Sequence, residues 1–145
     1  MRLEGPEATE ALGRRLASQL RAGDVVALFG DLGAGKTTLA RGILAGLGHE
    51  GEVASPTFPI VIPYETLGVP VWHVDLYRIE DPAEMVELAL DEALQDGALI
   101  IEWPERMGHA LWPHSLRLTL RREGEAARIL TAQVPAAWAL RWPPR

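Results

Sequence analysis

The chain contains no cysteine and no asparagine, and among its 14 basic residues only Lys36 is a lysine. Without a thiol it can form no disulfide, zinc–thiolate centre or iron–sulfur cluster. Long apolar runs are missing as well. No stretch is long enough to span a membrane, and Met1–Pro6 lacks the apolar core of a signal peptide, so a cytoplasmic protein is expected. Net positive charge is also absent: a formal charge of −6 disfavours extended, non-specific contact with nucleic acid. The local exception is a group of arginines near the C-terminus, Arg117, Arg121, Arg122 and Arg128, whose commoner explanation is a solvated strand face. A chain of 145 residues is one domain, able to bury roughly 70% of the surface its unfolded form exposes. The lack of asparagine and cysteine, with abundant arginine and proline, suits either a heat-adapted organism or a GC-rich genome.

What is present begins with that single lysine. It stands in Gly30-Asp31-Leu32-Gly33-Ala34-Gly35-Lys36-Thr37-Thr38, a full match to the phosphate-loop pattern GxxxxGK[ST]. Both required flanks are there. Asp24–Phe29 reads as a buried parallel strand feeding the loop. Behind it Leu39, Ile43, Leu44 and Leu47 recur at helical spacing until Gly46 and Gly48 end the pattern. Glycines let the backbone wrap phosphates with its N–H groups inward, and the positive end of the following helix adds favourable potential. Asp31, Leu32, Gly33, Ala34, Gly35, Lys36, Thr37 and Thr38 are therefore the expected nucleotide-binding residues, with ATP and Mg²⁺ as cofactors. Lys36 would reach the β- and γ-phosphates, and the Thr37 hydroxyl would hold the metal.

The remaining pattern predicts an α/β fold, a P-loop NTPase-like three-layer sandwich whose central sheet is mostly parallel, with antiparallel hairpins. Leu3 is placed in a short edge strand. Pro6 starts a first helix whose Ala8, Leu12, Leu16 and Leu20 share a face and which ends near Gly23. Pro59–Glu65 and Val69–Asp75 form a hairpin around Thr66-Leu67-Gly68, with prolines that suit an edge. Asp81-Pro82-Ala83-Glu84 reads as a capping box opening an acidic helix. In that helix Val86, Ala89, Leu90, Ala93 and Leu94 oppose Glu84, Glu87 and Asp91. Ala98–Ile101 is a further buried strand, ending at Glu102. Leu116–Leu120 and Ala127–Gln133 alternate around Glu123-Gly124-Glu125 as a second hairpin. Residues 1–145 form one domain, with 134–145 as a C-terminal tail whose tryptophans need a surface to cover.

A phosphate loop needs a carboxylate at the end of a neighbouring strand to anchor the magnesium shell. Two acids qualify. Glu102 ends a uniformly apolar strand and is assigned to the metal with Thr37. Asp75, ending an alternating strand, is assigned to catalysis with Lys36, orienting the attacking water or touching the metal through one; its plainer alternative is an ion pair with Arg78. Ser55, Pro56, Thr57 and Phe58 sit where small hydroxyl residues could sense the γ-phosphate. His73 reads as a packed, hydrogen-bonded histidine, and Trp103 as either a base-stacking or a packing side chain. No arginine stands in a recognisable finger; Arg78 and Arg41 are the alternatives, so slow hydrolysis is expected. Two rivals stay open, a small-molecule kinase and a nucleotide-gated binding module, although no segment reads as a kinase lid.

Taken in order, the phosphate loop, Ser55-Pro56-Thr57-Phe58, His73-Val74-Asp75-Leu76-Tyr77-Arg78, Asp81-Pro82 and Ile101-Glu102-Trp103-Pro104-Glu105 resemble the TsaE family, the ATPases of tRNA threonylcarbamoyladenosine biosynthesis. The resemblance runs from about Pro6 to Gln133. It implies that Thr37 and Glu102 hold Mg²⁺, that Asp75 serves hydrolysis and that Ser55–Phe58 form a nucleotide-responsive switch loop. It further implies a complex with the TsaB and TsaD proteins, and through them contact with tRNA, but no membrane. Two departures stand out: Ala89 occupies a position where the family often has glycine, and Pro59 one where a polar residue is common.

Overall fold

Val25–Phe29 carries no polar residue, and Ala98–Glu102 none before its last position, which is what strands covered on both faces require. The computed structural model describes residues 1–54, 60–65 and 68–145. Its strands are β1 (Arg2–Glu4), β2 (Val25–Phe29), β3 (Val61–Tyr64), β4 (Val71–Asp75), β5 (Ala98–Glu102), β6 (Leu116–Glu123) and β7 (Ala127–Gln133). The α-helices are α1 (Gly5–Ala17), α2 (Lys36–Gly46) and α3 (Leu90–Asp96). The strands form one sheet in the order β1-β7-β6-β2-β5-β4-β3. The four central strands β6, β2, β5 and β4 run parallel, while β3, β7 and β1 add antiparallel margins.

Alternation along β2 and β5 builds two cores. Val26, Leu28 and Ile100 pack with Leu12, Leu16, Leu39 and Ile43 of α1 and α2. Val25, Ala27, Leu99 and Ile101 face the opposite way, onto Leu90 and Met107. The expected three-layer α/β sandwich is therefore present. On the first face α1 and α2 touch backbone to backbone: a Cβ on Gly42 would lie 2.2 Å from the Glu10 carbonyl oxygen, so only glycine permits this approach. That contact fixes where α2 begins.

Both predicted hairpins form, although Thr66 and Leu67 at the tip of the first lie outside the described residues. Helix α1 stops at Ala17, short of Gly23, because the chain tightens to bonds from Gln19 N–H to Leu16 O and Leu20 N–H to Ala17 O; Leu20 is nevertheless buried. The C-terminal tail packs into the molecule. Trp138 is fully buried, and the Arg141 guanidinium donates to both Asp24 oxygens, at 2.7 and 3.0 Å, and to Gln19 O at 2.8 Å.

The acidic helix departs from expectation. Pro82–Leu88 is a 3₁₀ segment, Ala89 takes left-handed angles (φ 52°, ψ 40°), and only then does α3 begin. The kink rotates the two pieces relative to one another, so Leu90, Ala93 and Leu94 of the expected apolar stripe still pack on the core while Ala89 is exposed and Val86 is 82% exposed. Asp81 caps as expected by accepting from Ala83 N–H at 3.0 Å, whereas the Glu84 carboxylate reaches Glu80 N–H, one residue further upstream than a capping box requires. An alanine in the left-handed region costs roughly 1–2 kcal/mol, partly offset because glycine gains more freedom on unfolding. Ala89→Gly should accordingly stabilise the fold by about 0.5–1 kcal/mol, read from urea unfolding midpoints; a destabilised variant would contradict the left-handed geometry.

Candidate active site

The carboxyl ends of β2, β5 and β4 lie side by side, and the chain leaving β2 forms the glycine-rich loop Gly30–Gly35 there. Gly30, Gly33 and Gly35 have φ of 144°, 77° and 108°, values that a side chain would strain, and Gly35 caps α2 so that Lys36 is its first residue. The loop faces a cleft of about 240 Å³ walled by Gly33, Lys36, Thr37, Asp75, Glu102 and Trp103. Asp75 and Glu102 are register partners across β4 and β5. The Thr37 hydroxyl donates toward Glu102, lying 3.0 and 3.2 Å from its two oxygens.

Burial dominates the electrostatics. Lys36 is only 4% exposed; its Nζ donates to Gly30 O at 2.6 Å and sits 3.4 Å above the centroid of the Trp103 ring. Desolvation lowers its pKa, against the pull of Glu102, Glu105, Asp75 and Asp31. Desolvation likewise raises the pKa of Asp75, and Glu102 adds to the rise; the Tyr77 N–H bond at 2.9 Å, Lys36 and His73 oppose it. His73 is wholly buried with Nε2 2.7 Å from a Glu102 oxygen. A carboxylate only accepts, so Nε2 carries the proton in this contact, while Nδ1 finds no partner among the described residues. Trp103 itself holds left-handed angles (φ 59°, ψ 47°), bending the chain sharply after Glu102.

The predicted residues converge unevenly. Lys36, Thr37, Thr38, Leu32, Gly33, Gly35, Asp75 and Glu102 border one cleft, whereas Asp31 is exposed outside it and Ala34 is buried behind the loop. Ser55, Pro56, Thr57 and Phe58 lie outside the described residues. Two arginines that the sequence reading left in a surface patch reach the loop instead: Arg128 donates to the Ala34 and Gly33 carbonyls and Arg122 to Gly33. Hairpin register could have paired these two with each other, but only the β6–β2 neighbourhood brings them to the loop.

A hydroxyl with two nearby carboxylates, all hard oxygen donors, suits Mg²⁺, which takes one or two carboxylates and completes its shell with phosphate and water. A cavity of about 400 Å³ beside Met85, Val86 and Trp112 is lined by no basic side chain. Because the folded-state pKa of Asp75 is raised, its charge opposes folding above that pKa, and the penalty fades as pH falls toward the ordinary carboxylate value. Asp75→Asn, which can still accept from Tyr77 N–H, should raise the thermal midpoint at neutral pH by roughly 2–4 °C. Differential scanning calorimetry should find that gain shrinking as pH falls; a gain that grows on acidification would contradict the sign.

The family model described as threonylcarbamoyl adenosine biosynthesis protein TsaE matches residues 3–130. The chain is 50% identical over 114 residues to the tRNA threonylcarbamoyladenosine biosynthesis protein TsaE of Streptomyces coelicolor, covering 77% of each chain. It is 39% identical over 131 residues to the Bacillus subtilis protein of the same name, covering 90% of this chain and 82% of that one. The crystal structure of Bacillus subtilis YdiB superposes with a TM-score of 0.78 at 31% identity, over 94% of this chain and 85% of that one. By a family match over most of its length and relatives 39–50% identical, the chain belongs to the TsaE family of tRNA threonylcarbamoyladenosine biosynthesis.

Proposed function

We propose that the chain binds ATP with Mg²⁺ and hydrolyses it slowly, acting in the cytoplasm as the ATPase component of the assembly that makes threonylcarbamoyladenosine in tRNA. The observation that carries this reading is the convergence of Lys36, Thr37, Glu102 and Asp75 beside the N-terminus of α2. Loop N–H groups and the Lys36 ammonium would hold the β- and γ-phosphates, exchanging the contact of Lys36 with Gly30 O for phosphate oxygens. Thr37 and Glu102 would hold Mg²⁺, which when bound neutralises charge on the phosphates. His73 fixes one Glu102 oxygen and so orients the carboxylate. Asp75, close to Glu102 yet on the adjacent strand, would orient the attacking water. The TsaB and TsaD proteins are the proposed partners, with tRNA engaged through them and Ser55–Phe58 as the nucleotide-responsive loop.

Calorimetric titration tests the binding half. Lys36→Ala should weaken ATP binding by at least about 100-fold, since it removes the only ammonium available to the phosphates; unchanged affinity would remove the phosphate-loop assignment. Thr37→Ala and Glu102→Gln should each weaken the Mg²⁺ dependence of that binding, while Asp75→Asn should spare it and lower hydrolysis by about 100-fold or more. If Asp75→Asn abolishes Mg²⁺-dependent binding and Glu102→Gln does not, the two acids exchange roles. Steady-state phosphate release from the chain alone should be slow and should rise on addition of TsaB, TsaD and tRNA. A fast rate indifferent to them, or a labelled acceptor other than water, would favour a self-sufficient phosphotransferase.

A further inference from the structure

The glycine-rich loop before Lys36 is held by two guanidinium groups that the hydrolytic scheme above does not use, and one of them, Arg128, also borders the cleft. Arg122 and Arg128 are register partners on β6 and β7, so the hairpin presents both from one place. Arg128 is half-buried and spans two consecutive peptide units. Its Nε donates to Ala34 O at 3.0 Å and its Nη2 to Gly33 O at 3.4 Å, while Nη1 is steadied by Ala127 O at 2.9 Å. The exposed Arg122 adds a second donor to Gly33 O at 3.2 Å, and a Cβ on Gly33 would lie 2.3 Å from its Nη2. Among the described residues the hydrogen bonds of both groups go to carbonyls alone, so no carboxylate neutralises either charge. The hairpin is itself anchored, by Gly5 N–H to Ala126 O at 3.1 Å and by Arg2 to Glu123 at 2.7 Å.

In a trans peptide the carbonyl and the following N–H point in opposite directions. Fixing Ala34 O toward Arg128 therefore turns the Gly35 N–H the other way, as an anion-binding nest requires. Two positive charges beside the loop with no ion-pair partner among the described residues also raise the potential that a phosphate tail meets there. We propose that Arg128, assisted by Arg122, is a positioning clamp that sets the phosphate loop in its anion-ready shape before any nucleotide arrives. The inference deepens the nucleotide reading of the cleft and rests on it. It assigns these arginines to the binding of any nucleoside di- or triphosphate, and not to the γ-phosphate or the transition state.

Two measurements on the full chain test it. In amide hydrogen exchange of the nucleotide-free protein, Arg128→Gln should accelerate exchange at Gly33–Lys36 while leaving β5 protected. In calorimetry with Mg²⁺, Arg128→Gln should weaken ATP and ADP by the same factor, about tenfold, and Arg122→Gln by about threefold. The loss in kcat/KM should lie in KM. Arg128→Lys keeps the charge but cannot span both carbonyls, so it should recover only part of the affinity and none of the exchange protection. If Arg128→Gln does not fold, Arg128→Lys and Arg122→Gln carry the same comparison. Loss of ATP affinity with ADP affinity intact, or a fall in kcat with both affinities intact, would overturn the clamp by moving the guanidinium onto the reacting phosphate. Unchanged exchange at the loop would overturn it whatever the ligand, whereas a wild-type chain that binds neither nucleotide would remove the nucleotide reading and leave exchange to judge the clamp.

Discussion

An ammonium group held almost out of water is the constraint around which this molecule is arranged. Lys36 is 4% exposed, and such a charge persists only where dipoles and opposite charges replace its hydration. Gly30 O, the face of Trp103 and the fields of Glu102, Asp75, Glu105 and Asp31 supply that replacement. Parallel pairing of β2, β5 and β4 makes the arrangement possible, because it brings three strands to a common carboxyl end with Asp75 and Glu102 abreast. The cost is passed on: Asp75 carries a raised pKa because it is buried and beside a second carboxylate. The Lys36 charge opposes that rise without cancelling it.

Around this centre the scaffold acts mainly by exclusion of alternatives. Gly42 and Gly13 let α1 and α2 meet along their backbones, which leaves the N-terminus of α2 little room to move away from β2. The left-handed Trp103 turns the chain immediately after Glu102 and lays its ring over Lys36, with Tyr77 at 4.9 Å beside it. His73 fixes the Glu102 carboxylate from within the sheet. The β6–β7 hairpin brings Arg122 and Arg128 onto the loop's carbonyls, and Arg128 borders the same cleft as Asp75 and Glu102. The family match spans residues 3–130 and ends within β7.

What the linear chain determined by itself was everything that depends on local spacing. The strand, loop and helix around Lys36 follow from a short apolar run, glycines where φ must be positive and a helical repeat. Both hairpins, the buried strand ending at Glu102 and the family resemblance are likewise local patterns or their order. Periodicity failed at Ala89, where one left-handed residue breaks an otherwise regular helical period; propensity does not forbid alanine in a helix, and the only signal came from the family resemblance, which often has glycine there. It also failed for the tail, because Trp138 and Arg141 meet Leu20, Asp24 and Gln19 across more than a hundred residues. Only the tertiary structure decided that β6 lies beside β2, and with it that Arg122 and Arg128 reach the carbonyls of the glycine-rich loop. Strand order arises from how two cores close over a sheet, a sum over many distant contacts, and no short window of sequence carries that sum.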